Sequence, residues 1–156
     1  MVEYLTDIDE QALLEIKKLL LAYANWLQLD LSFQGFEEEI KTLPGRYSPP
    51  TGALILARVK GEAAGCVALR KLSPGVCEMK RLFVRPEWQG MGIGKRLVQK
   101  IIQEARKRHY QFMRLDTLPI MGAARAIYQQ MGFYPIPPYY DNPIEGAEFM
   151  ELKLQD

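Results

Sequence analysis

The stretch Val84-Arg85-Pro86-Glu87-Trp88-Gln89-Gly90-Met91-Gly92-Ile93-Gly94-Lys95-Arg96 decides how this chain is read. Before it, Val76 to Val84 is an apolar run of strand type. After it, Leu97, Val98, Ile101, Ile102 and Ala105 recur at helical spacing. Three glycines therefore join a strand to the first turn of a helix. Glycine lets backbone N–H groups approach a ligand and adopt positive φ, and a helix N-terminus offers unpaired donors and partial positive charge. Lys95 and Arg96 fall in that first turn, where the dipole disfavours cations by about 0.3–1 kcal/mol each. An anionic ligand such as a pyrophosphate would compensate them. The alternative is a glycine turn with a solvated basic face. The G-x-G-x-G spacing is neither that of a P-loop nor the dinucleotide fingerprint, and the preceding strand closes a meander instead of opening a sheet.

Outward from this loop the chain alternates clearly. Ala53–Val59, Gly65–Lys71 and Val76–Val84 read as three strands joined by Lys60-Gly61-Glu62 and Ser73-Pro74-Gly75 turns, an antiparallel meander. In the third strand, simple alternation puts Cys77, Met79 and Arg81 on one face and Glu78, Lys80 and Leu82 on the other. Upstream, Leu13, Ile16, Leu20, Tyr23 and Leu27 form one stripe on a helix of about five turns, capped by Asp7 or Asp9. Phe33, Phe36, Ile40 and Leu43 repeat the pattern before Pro44-Gly45. Val2–Thr6 reads as a short strand. Downstream, Phe112–Thr117 is a strand, and the strand–helix–strand order predicts parallel pairing. Gly122–Met131 reads as a helix ended by Gly132. Phe133-Tyr134 opens another strand, Pro135–Gly146 is a proline-rich loop, and Glu148–Leu154 alternates as a last strand. The expectation is a single α/β (α+β) domain over residues 1–156, a mixed sheet with helices on both faces.

Composition narrows the chemistry. Lys and Arg total 20 against 19 Asp and Glu, with 48% hydrophobic residues. Such balance argues against a nucleic-acid partner. His109 stands alone, with only Cys66 and Cys77 as thiols, so a Cys/His metal cage is excluded and no metal is expected. The N-terminus carries no signal pattern, and no apolar run approaches the roughly 20 residues of a membrane span. A cytoplasmic protein with no membrane partner is expected.

With these residues in view, Val76 to Ala105 resembles motif A of the GNAT acetyltransferases, whose [QR]-x-x-G-x-[GA] is matched by Gln89, Gly92 and Gly94. Ala124-x-x-Ile127-Tyr128-x-x-x-Gly132-Phe133 resembles the family's motif B, and the order of elements matches over nearly the whole chain. The resemblance implies a GNAT fold, mostly antiparallel with a central splayed parallel pair, and acetyl-CoA as cosubstrate. It implies cofactor contacts from Leu82, Phe83 and Val84 on the strand. From the loop and helix start it adds Gln89, Gly90, Met91, Gly92, Ile93, Gly94, Lys95 and Arg96. Pyrophosphate would sit on the glycines and Lys95, and pantetheine would pair with the backbone of Leu82 and Val84. Many members carry Asn three residues before the motif B alanine; Met121 stands there in this chain. Homodimers are common in the family, so the resemblance allows one.

The implied reaction is acetyl transfer to a primary amine of a small molecule by direct attack in a ternary complex. An alkyl ammonium with pKa near 10.4 is only about 1 part in 2500 neutral at pH 7, so a base helps. Glu78 is the candidate base, because a catalytic glutamate occupies this strand in one branch of the family; cross-strand pairing with Lys80, Arg70 or Arg81 is the alternative. Asp116 and Glu148 are further carboxylates. Tyr128 is the candidate acid, since in the family this tyrosine lies near the cofactor sulfur and its hydroxyl is a donor at neutral pH. A core tyrosine is the competing reading. Neither cysteine has a basic neighbour in sequence to make a thiolate, and His109 follows the basic end of its helix. The acceptor would meet segments Trp26–Phe36 and Ile136–Gly146. Two other readings stay open: acetylation of a protein lysine or N-terminus, and a catalytically weak CoA-binding sensor.

Overall fold

Alternation and turn chemistry place the strands where the sequence predicts them. The computed structural model describes residues 1–28 and 35–155. β1 (Val2–Leu5), β2 (Ala53–Val59), β3 (Glu62–Ser73), β4 (Val76–Val84), β5 (Phe112–Thr117), β6 (Tyr134–Ile136) and β7 (Glu148–Lys153) form one sheet in the order β1-β2-β3-β4-β5-β7-β6. Every neighbouring pair is antiparallel except β4–β5. Lys60 and Gly61 both take positive φ in the β2–β3 turn, the conformation that a tight two-residue hairpin requires.

The helices cover both faces. α1 (Glu10–Leu27) starts at Asp9, whose carboxylate accepts from the Ala12 N–H at 2.8 Å. It buries Ile16, Leu19, Leu20 and Tyr23 against Leu54, Leu56, Cys66, Ala68 and Phe83. α2 (Phe36–Thr42) follows on the same side; Phe33, expected on that stripe, lies outside the described residues. On the other face α3 (Ile93–Lys107) buries Leu97, Val98, Ile101 and Ile102 against Ile55, Val67, Leu69 and Met79. α4 (Gly122–Met131) joins that core through Tyr128 and ends at Gly132, with φ 97°.

Two irregularities of β4 shape the centre. First, Cys66 opposes Phe83 and Ala68 opposes Lys80, so Val67 faces two residues, Arg81 and Leu82. This is a β-bulge, with Arg81 at φ 62°. The simple alternation expected from sequence therefore fails after Lys80. Leu82 packs with Met79 in the α3 core, while Arg81 turns to the α1–α2 side, where it pairs with Glu39. Lys80, opposite Ala68, lies on that side too. Second, β4 pairs with β5 only from Val76 to Glu78, against Phe112 to Arg114. Beyond Glu78 the two strands separate, opening a gap through the sheet.

On the α1 side of β5 and β7, Arg114 and Asp116 share a face with Glu151 and Phe149. Residues 137–147 fold over this face. Tyr139 and Tyr140 pack on Phe149 at ring-centroid distances of 5.1 and 5.3 Å.

Candidate active site

A cleft of about 690 Å³ opens at the separated end of β4 and β5. Its walls are Leu82, Phe83 and Val84 of β4, the loop residues Gln89, Gly90 and Gly92, and Ile93, Gly94 and Lys95 at the start of α3. Nine of the residues singled out in the sequence are thus brought together. Met91 and Arg96 do not border the cleft; Arg96 instead donates to Gln99 at 3.3 Å. Gly92 sits at φ 79° as the N-cap of α3 and provides no side-chain cap, so the first-turn N–H groups keep their donor capacity. A Cβ on Gly90 or Gly92 would meet nothing within 4 Å, so the loop faces open space. A Cβ on Gly94, by contrast, would lie 3.4 Å from Ile127, so this glycine lets α3 and α4 approach. The Gln89 amide donates to the Val84 carbonyl at 3.1 Å and ties the loop to the strand end.

Trp88 completes the loop side, and the remaining walls come from elements distant in sequence: Tyr23 and Trp26 of α1, and residues between Ile120 and Ile127. Met121 initiates α4 and borders the cleft. Ala123, Ala124 and Ala126 keep that helix slim beside it.

A chamber of about 30 Å³ adjoins the cleft, sharing Tyr23, Leu82 and Met121 with it. Tyr128 and Met79 approach it from the α3 side; Lys80, Arg81 and Asp116 approach from the other. The chamber therefore lies in the gap between β4 and β5. Tyr128 is buried, and burial drives its hydroxyl well above the ordinary tyrosine range. It remains a neutral donor at any working pH. Burial and the neighbouring Arg81 push the Lys80 ammonium down to about 8.

Glu78 is placed differently. It is 1% exposed and does not border the chamber. Arg70 pairs with it at 2.7 Å, and the Tyr139 hydroxyl donates to its other oxygen at 2.6 Å. Asp116 does border the chamber. Its Oδ2 accepts from Tyr140 and, at 2.9 Å, from Asn142, and Asn142 Oδ1 accepts from the Ile144 N–H at 2.9 Å. The Ile136–Gly146 segment is thus anchored on two carboxylates, the buried Glu78 and the half-buried Asp116. Of the segment Trp26–Phe36, residues 29–34 lie outside the described residues.

Burial pushes both thiols, Cys66 and Cys77, up to about 12, which makes them inert at neutral pH. His109 ends α3 at φ 64°, away from cleft and chamber. Among the described residues, no three His, Cys, Asp or Glu side chains form a metal-binding group, and no helix is long and apolar enough to cross a membrane.

Residues 18–133 match the model of the Acetyltransferase (GNAT) family. The chain belongs to this family. The GNAT chain is 41% identical over 146 residues to an uncharacterized N-acetyltransferase of Schizosaccharomyces pombe, covering 92% of this chain and 90% of the other. Its fold matches a GNAT acetyltransferase of Staphylococcus aureus with a TM-score of 0.81 at 19% identity, covering 99% and 100% of the two chains. It also matches the PaiA N-acetyltransferase of Thermoplasma acidophilum, solved in complex with coenzyme A, with a TM-score of 0.74 at 16% identity over 98% and 99%. The GNAT motifs pointed to the glycine loop and Tyr128. They were silent on Lys80 and on Tyr139 and Tyr140 as carboxylate partners. Their only sequence signal was a charged residue in an otherwise apolar strand and a Tyr-Tyr pair in a proline-rich loop.

Proposed function

We propose that this GNAT protein moves an acetyl group from acetyl-CoA to the primary amine of a small molecule, by direct attack in a ternary complex. The observation that carries the reading is a cleft and an adjoining chamber that share Tyr23, Leu82 and Met121 as walls. The chamber beside the glycine-loop cleft is bordered by Tyr128 from the α3 side and by Asp116 from the α1 side. The cleft fits the cosubstrate: uncapped first-turn N–H groups and Lys95 suit the pyrophosphate, and the unpaired end of β4 offers Leu82 and Val84 backbone groups to the pantetheine. Acetyl-CoA supplies a thioester, whose acetyl carbon is the electrophile.

Within this reading each residue has a defined task. Asp116, held by Tyr140 and Asn142, accepts the proton that the amine loses as its nitrogen bonds to the acetyl carbon. The carbon–sulfur bond breaks, and Tyr128 gives its hydroxyl proton to the departing thiolate. Asp116 is preferred to Glu78 because only Asp116 borders the chamber. Glu78 instead anchors Tyr139 and with it the loop roofing the acceptor side. The narrowness of the chamber favours a small acceptor over a protein segment.

The test has two parts. Acetyl-CoA should raise the melting temperature while ATP and NAD leave it unchanged; an equal response to all three would sink the cosubstrate claim. Thiol release should then appear with at least one small amine. Release only with a peptide lysine or N-terminus would favour the protein-directed alternative.

A further inference from the structure

We propose that the Tyr23 hydroxyl, backed by Arg81, donates the hydrogen bond that polarises the thioester carbonyl of acetyl-CoA. This rests on the reading that acetyl-CoA fills the cleft.

Tyr23, Leu82 and Met121 border both the cleft and the chamber. They mark where a thioester arm lying along the unpaired end of β4 would end. Leu82 and Met121 bring apolar side chains, so of the three only Tyr23 brings a side-chain O–H donor. The chamber holds about 30 Å³, the room of about one water. That is the size of a carbonyl oxygen, or of the nitrogen of an attacking amine, and not of a whole acceptor.

The tyrosine is fixed by packing. It lies on the buried stripe of α1, 7% exposed. Its ring meets Phe83 edge-on, with centroids 5.7 Å apart. Burial pushes its hydroxyl up to about 12 against the opposing charge of Arg81, so it stays a neutral donor at working pH.

Arg81 supplies the polarisation. The β-bulge turns it to the α1 side, where its Nε and Nη2 donate to Glu39 at 2.8 and 3.0 Å. A guanidinium has five N–H donors, of which this pair uses two. Arg81 also acts on the Tyr23 hydroxyl, by charge and by a side-chain hydrogen bond. In that bond the guanidinium donates and the phenol oxygen accepts. The phenol proton is left to be donated onward, and a chain of this kind strengthens its last donor.

Tyr128 stands on the opposite face and borders the chamber but not the cleft. The two tyrosines therefore divide the work. As the amine nitrogen bonds to the acetyl carbon, the carbonyl electron pair moves to oxygen. Tyr23 holds that oxyanion by a hydrogen bond and keeps its own proton. When the carbonyl re-forms, the carbon–sulfur bond breaks and Tyr128 protonates the sulfur.

The experiment follows, by isotope-edited infrared spectroscopy, the carbonyl band of acetyl-CoA labelled with carbon-13 at the acetyl carbonyl and bound to the full chain. The bound band should lie below that of the same thioester in an apolar solvent. Tyr23→Phe should move it back up, and Tyr128→Phe should leave it in place. A bound band at the apolar-solvent position overturns the proposal even if Tyr23→Phe fails to fold. So does a lowered band that Tyr23→Phe does not move, which would give the role to a backbone N–H of β4. With an amine that supports thiol release, Tyr23→Phe should lower kcat by about 10²-fold or more while KM for acetyl-CoA changes little, the effect of losing one oxyanion donor. An unchanged kcat also overturns the proposal. A band that depends on Tyr23, without thiol release to any amine, supports the donor and overturns amine acetylation. Failure to bind acetyl-CoA overturns both readings.

Discussion

The two faces of the central sheet meet at the same gap but are built by different means. The α3–α4 face is dry. Leu97, Val98, Ile101 and Met79 fill it, and its one polar participant at the chamber, Tyr128, comes from a helix with an obvious motif. The α1 face is dry around Leu54, Leu56, Cys66, Ala68 and Phe83. Over β4, β5 and β7 it carries Glu78, Lys80, Arg81, Arg114 and Asp116, answered by Glu39, Arg70 and the tyrosines of the 137–147 segment. An apolar face can be read from periodicity because burial is non-directional. A charged buried face depends on pairwise partners brought from far along the chain, since each unpaired charge would cost several kcal/mol.

Substitutions can break that contrast at graded cost. Tyr128→Phe, the single polar change on the dry face, should lower turnover by about 10²-fold or more, the low end for a positioned proton donor. The melting-temperature shift with acetyl-CoA should persist; unchanged turnover would remove Tyr128 as the acid.

On the charged face, Glu39→Ala removes the carboxylate paired with the buried Arg81 and should destabilise by about 3 kcal/mol, measured by urea unfolding. Burial alone would raise the Glu39 carboxyl, but its hydrogen bonds and attraction to Arg81 outweigh this and hold it below the usual glutamate range. The sign follows: Glu39 contributes its stability above the unfolded-state value and loses it as pH falls through the lowered one. The Glu39→Ala protein should therefore show a flatter acid limb, and an unaltered limb would show that the pair does not matter.

Gly92→Val places a β-branched residue at φ 79° beside the loop and should weaken acetyl-CoA binding by about tenfold, read by calorimetric titration. Unaltered affinity would mean that the loop geometry is not used.

The smallest effect is expected for Tyr139→Phe, which removes one donor from Glu78 and should cost about 1.5 kcal/mol in thermal unfolding. No change in stability would mean that the roof is not anchored there.

Much of the frame was legible in the chain. The meander, the stripes of α1 and α3, and the glycine loop follow from period, turn chemistry and capping, which are local. The alternation of β4 was misread after Lys80, because a bulge is set by register against β3 and leaves no mark in the strand's own residues. Glu78 could be read as a strand residue near the glycine loop. Its engagement with Arg70 and Tyr139 could not, since Tyr139 lies 61 residues away.

By itself, then, the sequence determined which elements form, where the anion-binding loop lies, and that Tyr128 belongs to a motif. It could do so because hydrophobic period and glycine conformation act over a few residues. Tertiary structure alone decided which carboxylate borders the chamber, that Lys80 and Arg81 share a face, and that Tyr139 and Tyr140 pack on Phe149 of β7. Those outcomes depend on where β4 parts from β5 and on which distant side chains satisfy the charges buried there.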